Sequence, residues 1–127
     1  VMTKHNSIAV KRMEKIGINE NFTVLDEEIK TVHSGSYGRL DPDSIAPTIT
    51  TRFDTPSGGR FIHPFENRTI TPREAARIQS FPDSFRFVGN KGSQMKQVGN
   101  AVPPLLAGAI AEVIMNDIEE DANNEQA

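Results

Sequence analysis

Residues 68–83, RTITPREAARIQSFPD, constrain this chain more than any other stretch, because several local signals agree there. Thr71 followed three residues on by Glu74 is a capping box. The hydroxyl accepts from the third helical amide while the carboxylate reaches back to the cap. Pro72 stands at the first helical position, where its missing N–H costs nothing. Ala75, Ala76 and Ile78 then give a short helix with a small apolar face, and Arg73 and Arg77, four apart, share one side of it. Phe81-Pro82 stops the run, since a residue before proline avoids the helical region. The spacing predicts a capped helix over residues 72–80, packed on a small core.

At 127 residues the chain makes one ordinary domain at most. Eight aromatics and 36% hydrophobic residues allow a core of modest size. The absence of cysteine excludes disulfides, thiolate metal sites and a Cys nucleophile within these residues. His5, His33 and His63 are scattered without metal spacing, and no metal is assigned. No run approaches the ~20 apolar residues of a membrane span, and the start lacks a signal-peptide pattern. A cytoplasmic protein without a membrane partner is the simpler reading. The net charge of −3 hides a gradient: residues 30–100 carry ten bases against six acids, while residues 101–127 carry six acids and no base. A basic middle between acidic flanks attracts phosphate locally.

Taken in order, Ile8, Val10, Met13 and Ile16 predict one side of a short helix ended by Gly17 and Asn19. Residues 33–38 read as a loop and 41–44 as a turn. Residues 47–53, PTITTRF, are rich in β-branched side chains and read as a strand; residues 60–63 read as a second, and the pair as a hairpin with a long loop. Residues 84–95 read as irregular, with Lys91 and Lys96 solvated. A long helix is expected from Pro103 to about Ile118, with Leu105, Leu106, Ala109, Ile110, Val113 and Ile114 as a wide apolar stripe. Little else in the chain can cover that stripe. The acidic residues beyond it are expected to fray.

The literal residues say more. The 68–83 run, with its Thr-x-Arg-Glu-x-x-Arg-x-Gln-x-Phe-Pro-Asp pattern after an Arg, resembles motif IX of the DNA cytosine-5 methyltransferases. The run QVGNAVPP at residues 97–104 resembles motif X of the same family, in the right order and at about the right distance. The resemblance spans roughly residues 37–114. It implies an α+β arrangement: a small target-recognition β-hairpin region with short helices, plus a final helix belonging to the Rossmann-like S-adenosylmethionine-dependent methyltransferase domain. The implied segments are residues 1–67 as part of the target recognition domain, 68–96 as motif IX and its connection, 97–120 as motif X and the final helix, and 121–127 as an acidic tail.

The implied roles follow residue by residue. Arg39, Thr48, Thr50, Thr51 and Arg52, with Gly58, Gly59 and Arg60, fall where the family meets duplex DNA; an Arg can bind guanine through two hydrogen bonds. For each threonine, ordinary β-propensity is an equally good account. Asn100, Ala101 and Val102 match positions lining the S-adenosylmethionine pocket. Arg68, Arg73, Glu74 and Arg77 belong to a structural motif IX, holding the recognition region against the catalytic one. The family's Pro-Cys nucleophile, its Glu-Asn-Val motif and its Gly-rich loop are all absent, so no catalytic residue is expected in this chain. The implied partners are duplex DNA and the amino-terminal catalytic part of the same enzyme, which the cofactor also needs. The exposed final helix offers a homodimer surface. The abrupt start favours a piece of a longer bacterial polypeptide over a small subunit of a split enzyme. The rival reading is a non-catalytic DNA-binding or interaction module built on the same fold, and a purely structural helical domain is the third.

Overall fold

The computed structural model describes residues 2–30 and 34–125, so His33 and the start of its loop lie outside the described residues. Among the described residues four α-helices appear in order: α1 (Ser7–Glu14), α2 (Pro72–Ile78), α3 (Lys91–Gly99) and α4 (Pro104–Glu125). Single 3₁₀ turns lie at Phe22–Val24 and Pro56–Gly58.

α1 starts where Asn6 Oδ1 accepts from the Ala9 amide at 2.8 Å. Its inward positions are Ala9 and Met13, with Ile16 just beyond its end, a four-then-three spacing along one face. Ile8, expected on that face, is exposed instead. α2 carries the complete capping box, with Glu74 N donating to Thr71 Oγ1 at 3.2 Å and Thr71 N to Glu74 Oε2 at 2.7 Å. It closes earlier than expected, through a Schellman motif. Phe81 N donates to Ala76 O at 2.9 Å and Ser80 N to Arg77 O at 3.0 Å, with Ser80 in the left-handed region at φ 63°. α3 occupies part of the stretch expected to be irregular; Asn90 caps it by accepting from Ser93 N at 2.9 Å. Lys91, expected to be solvated, pairs there with Asp54 at 3.2 Å and also donates to Thr3.

The expected β-hairpin is not present, and among the described residues there is no strand or sheet; the architecture is helical. Residues 47–53 fail as a strand because their hydrogen-bonding groups are used locally. Thr50 Oγ1 accepts from Arg52 N at 3.3 Å, and Thr55 N donates back to Arg52 O at 3.2 Å. Such turns compete with a ladder. The buried positions, Ile49 and Phe53, are four apart, whereas a strand would bury alternate residues. Residues 60–63 find other neighbours. Ile62 forms one isolated parallel bridge with Arg39 and one antiparallel bridge with Thr69. Ile62 N donates to Gly38 O at 3.0 Å and Ile70 N to Phe61 O at 2.9 Å.

Those rungs divide the core. Ile62 belongs to a cluster with Ala9, Met13, Ile16, Leu25 and Tyr37. Phe61 belongs to the other, which gathers Ile49, Phe53, Ile70, Ala75 and Val98 among others. α2 and α3 pack on each other within the second cluster, and Gln79 Nε2 donates across to Val98 O at 3.1 Å.

α4 stands apart. It is longer than expected, continuing through the acidic residues to Glu125, and roughly 33 Å in length at the usual rise. From Leu105 to Asn124 every described residue is exposed. Its start is fastened by Leu105 N donating to Ser80 Oγ at 3.2 Å. The expectation that no stretch is apolar enough to cross a membrane needs amending. A window within Lys91–Asn124 reaches a mean hydropathy of 1.5, with 6% of it buried. Glu112 lies midway along α4, where hydrocarbon would penalise a carboxylate. The same length and composition serve a helix that docks on protein.

Candidate nucleic-acid interface and cofactor-facing turn

Arg39 is the clearest departure from expectation. It is 6% exposed, and all five of its N–H donors are used inside the protein. Nε donates to Ile16 O at 2.6 Å, Nη2 to Met13 O at 2.6 Å and Asn67 Oδ1 at 2.8 Å, and Nη1 to His63 O at 2.7 Å and Glu66 O at 3.0 Å. The guanidinium ties the end of α1 to residues 63–67 and keeps nothing to offer a base. Burial lowers its pKa from the usual guanidinium value. Its position beside an Asp-Pro turn gave no hint of this, because the acceptors lie more than twenty residues away in sequence.

The other residues expected to meet DNA form one continuous loop. Thr48, Thr50 and Arg52 are exposed and Thr51 is half-buried. Among the described residues the Arg52 guanidinium has no hydrogen-bond or ion-pair partner. Gly58 packs against the same turn, where an added Cβ would stand 3.0 Å from Arg52 O. Gly59 sits at φ 149°, a conformation that other residues rarely adopt, and a Cβ there would strike the Phe61 ring at 2.7 Å. Arg60 donates to Asn19 Oδ1. Two bonds hold the far side of the loop: Tyr37 N donates to Pro56 O at 2.7 Å, and Ser36 Oγ to Ser57 O at 2.8 Å.

Motif IX residues turn inward or onto one another. Arg68 grips Glu74 with two parallel hydrogen bonds of 2.8 Å each and reaches Glu66 at 2.9 Å. The Arg68 guanidinium, followed by the Thr71 amide and hydroxyl, holds the Glu74 carboxyl down at about 2 despite partial burial. Arg77 makes its own two-pronged pair with Asp83, at 2.8 Å on both arms, out in solvent. Arg73 donates to Phe85 O at 2.8 Å and lies over the Phe87 ring, while its buried Nη1 has no hydrogen-bond partner among the described residues. Phe81, Phe85 and Phe87 form a triangle with centroids about 5 Å apart (4.9, 5.0 and 5.1 Å). Glu66 and Asp83 were not singled out in the sequence. A carboxylate two residues before Arg68 and one six residues after Arg77 were the available signals.

The cofactor-facing turn is short. Asn100 caps α3 through its backbone, with its amide donating to Lys96 O at 3.0 Å. Its exposed carboxamide makes no hydrogen bond to the described residues, leaving a donor and an acceptor free. Ala101 is half-buried and Val102 is 59% exposed. A cleft of about 410 Å³ opens between this turn and residues 45–49, lined by Ile45, Pro47, Ile78, Gly99, Ala101 and Pro103 among others. Of the three residues expected at the cofactor, Ala101 lines this cleft, and Asn100 and Val102 lie outside its lining. Among the described residues, no group of three or more His, Asp or Glu is placed to hold a metal ion.

Comparison with known proteins gives this geometry a context. The sequence pattern of the C-5 cytosine-specific DNA methylases matches residues 2–116. The type II methyltransferase M.AquIB of Picosynechococcus sp. is 41% identical over 122 residues, covering 87% of this chain and 84% of that protein. The type II methyltransferase M.DdeI of Desulfomicrobium norvegicum is 49% identical over 91 residues, covering 65% of this chain but 21% of that protein. A crystal structure of a prophage-encoded E. coli protein, assigned as a DNA modification methyltransferase, superposes with a TM-score of 0.67 at 36% identity, covering 91% of this chain and 28% of that one. Beyond M.AquIB, the chain spans a small part of the other curated relatives it matches, from 5% of one to 37% of another.

Proposed function

This chain belongs to the C-5 cytosine-specific DNA methylase family, and on that premise we propose that it supplies DNA recognition and one wall of the cofactor site to such an enzyme, without its catalytic nucleophile. Family members use S-adenosylmethionine as methyl donor. In such an enzyme a thiolate would add to C6 of a cytosine flipped out of the duplex, and S-adenosylmethionine would supply the methyl group for C5. With no cysteine among its residues, this chain takes no part in that bond making. Its part is to hold and orient. The 48–60 loop presents Thr48, Thr50 and the exposed Arg52, with Arg60 beside them, to the duplex. Arg39 stands outside this surface, bracing the end of α1 against residues 63–67. Asn100, Ala101 and Val102 would hold an edge of S-adenosylmethionine.

The observation that carries the reading is α4. It leaves the cofactor-facing turn directly and exposes Leu105, Ile110, Val113, Ile114 and Ile118 at 50% or more each. A helix this apolar has to be covered. We assign its cover to the amino-terminal catalytic part of the enzyme, working on DNA in the bacterial cytoplasm. The test is to mix this chain with that part and measure methyl incorporation into duplex DNA. The mixture is expected to methylate. The chain alone is expected to bind duplex weakly, with affinity that falls steeply with salt, and to transfer no methyl group. Methyl transfer by the isolated chain would overturn the proposal.

A further inference from the structure

The loop expected to face DNA rides on α3 along that helix's whole length. At its first turn, Lys91 Nζ pairs with Asp54 Oδ2 at 3.2 Å. At its middle, Met95 and Val98 share a core with Ile49 and Phe53. At its last residue the contact is backbone on backbone. A Cβ on Gly99 would lie 2.6 Å from both C and O of Thr50 and 2.7 Å from N of Thr51. Those atoms belong to the main chain and cannot rotate aside. Gly99 is still helical, so what demands glycine here is close approach and not an unusual φ. Thr50 and Arg52 stand exposed on one flank of this contact, and Asn100, exposed, follows Gly99 on the other.

We propose that Gly99 is a positioning residue whose bare Cα sets the seat of Thr50 and Arg52 on α3, so that duplex binding at the loop and ligand binding at the 100–102 turn are coupled through one contact. The inference rests on the reading of residues 48–60 as the DNA face. Coupling of this kind is reciprocal: whatever steadies the turn steadies the loop, and the converse.

The test uses the full chain and a duplex oligonucleotide, with backbone hydrogen exchange followed peptide by peptide. Duplex is expected to slow exchange at residues 50–52 and, with them, at residues 97–101. Protection of the loop with no change at 97–101 overturns the coupling while leaving the DNA face intact. Absence of duplex binding at low salt removes the DNA face itself, and the inference with it. The variant Gly99→Ala is expected to weaken duplex binding about tenfold or more. Gly92→Ala in the same helix is expected to leave it unchanged, since a Cβ there meets only Asn90 Oδ1 at 3.5 Å. Equal affinity of Gly99→Ala and the parent chain overturns the positioning role. If Gly99→Ala does not fold, the exchange pattern of the parent chain decides.

Discussion

The region around Arg39 and α2 closes on itself, and α4 does not. In the first, a buried guanidinium spends every donor on neighbouring acceptors. Arg68 and Glu74 complete each other, and Ala75 and Ala76 are fully buried. In the second, a 22-residue helix keeps its apolar stripe in water, its start fastened by the Leu105 amide donating to Ser80 Oγ. One region derives its stability from this chain alone, whereas the other is stable as a helix but unfinished as a surface. The difference separates what a substitution does to folding from what it does to assembly, and each experiment below is placed on one side of it.

The largest effect on folding is expected at Arg39. Arg39→Ala strands four backbone carbonyls and the Asn67 side-chain oxygen, and should cost about 3–5 kcal/mol by urea denaturation, a large part of a small domain's stability. Arg39→Lys, with three donors in place of five, should recover only part of it. A variant that folds with parental stability yet loses duplex affinity would move Arg39 back to the DNA face.

Glu74 comes next. Its folded carboxyl sits at about 2, below its ordinary value of 4.5, held there first by Arg68. A depressed carboxyl stabilises above its unfolded pKa, and that contribution drains away as pH falls from 4.5 towards 2. After allowance for its 30% side-chain exposure, the loss should be about 1–3 kcal/mol. Glu74→Gln should flatten the acid limb of the stability profile. A parental acid limb in that variant would place the grip elsewhere.

His5 should give a smaller change in a higher window. Thr69 N donates to its Nε2 at 3.2 Å, which requires the unprotonated nitrogen. Burial first, then Lys91, lowers its pKa from 6.5. The folded state therefore prefers neutral His5. Its contribution is present above pH 6.5 and is lost as pH falls below it, towards the lowered folded value. Melting temperature should drop as pH falls below 6.5, and His5→Gln should blunt the drop.

The same division explains what could be read from the sequence. The capping box of α2 lies within four residues, so Thr71, Pro72 and Glu74 announced it. The stripe of α4 repeats at helical spacing and was equally plain. What failed depended on distant partners. Residues 47–53 have strand-forming side chains, but the fold offers them α3 and a turn where a neighbouring strand was expected, and β-propensity yields to such context. Arg39 looked like a free base reader because its acceptors come from α1 and from residues 63–67. Ser80 took the left-handed position that glycine usually marks, so the Schellman end of α2 went unannounced. The 48–60 loop and the 100–102 turn were legible as candidate sites only through the literal resemblance of whole motifs, since no local rule distinguishes a DNA-facing threonine from a β-forming one.

The smallest effect on folding, and the largest on assembly, is expected in α4. Ile110→Asp, alone or with Leu106→Asp, replaces side chains that are already 50% and 52% exposed. With little burial to lose, the isolated chain should change in stability by no more than about 0.5 kcal/mol. The apolar stripe should nevertheless draw parent chains together as concentration rises, into homodimers or larger aggregates, and sedimentation should show the doubly substituted chain staying monomeric. The same pair should abolish methyl incorporation when mixed with the catalytic part, because a charge on each of two turns cannot be buried unpaired at an interface. A parent chain that sediments as a strict monomer, together with a variant that melts well below it, would mean that α4 folds back onto its own domain. The contrast between the closed and the open region would then dissolve.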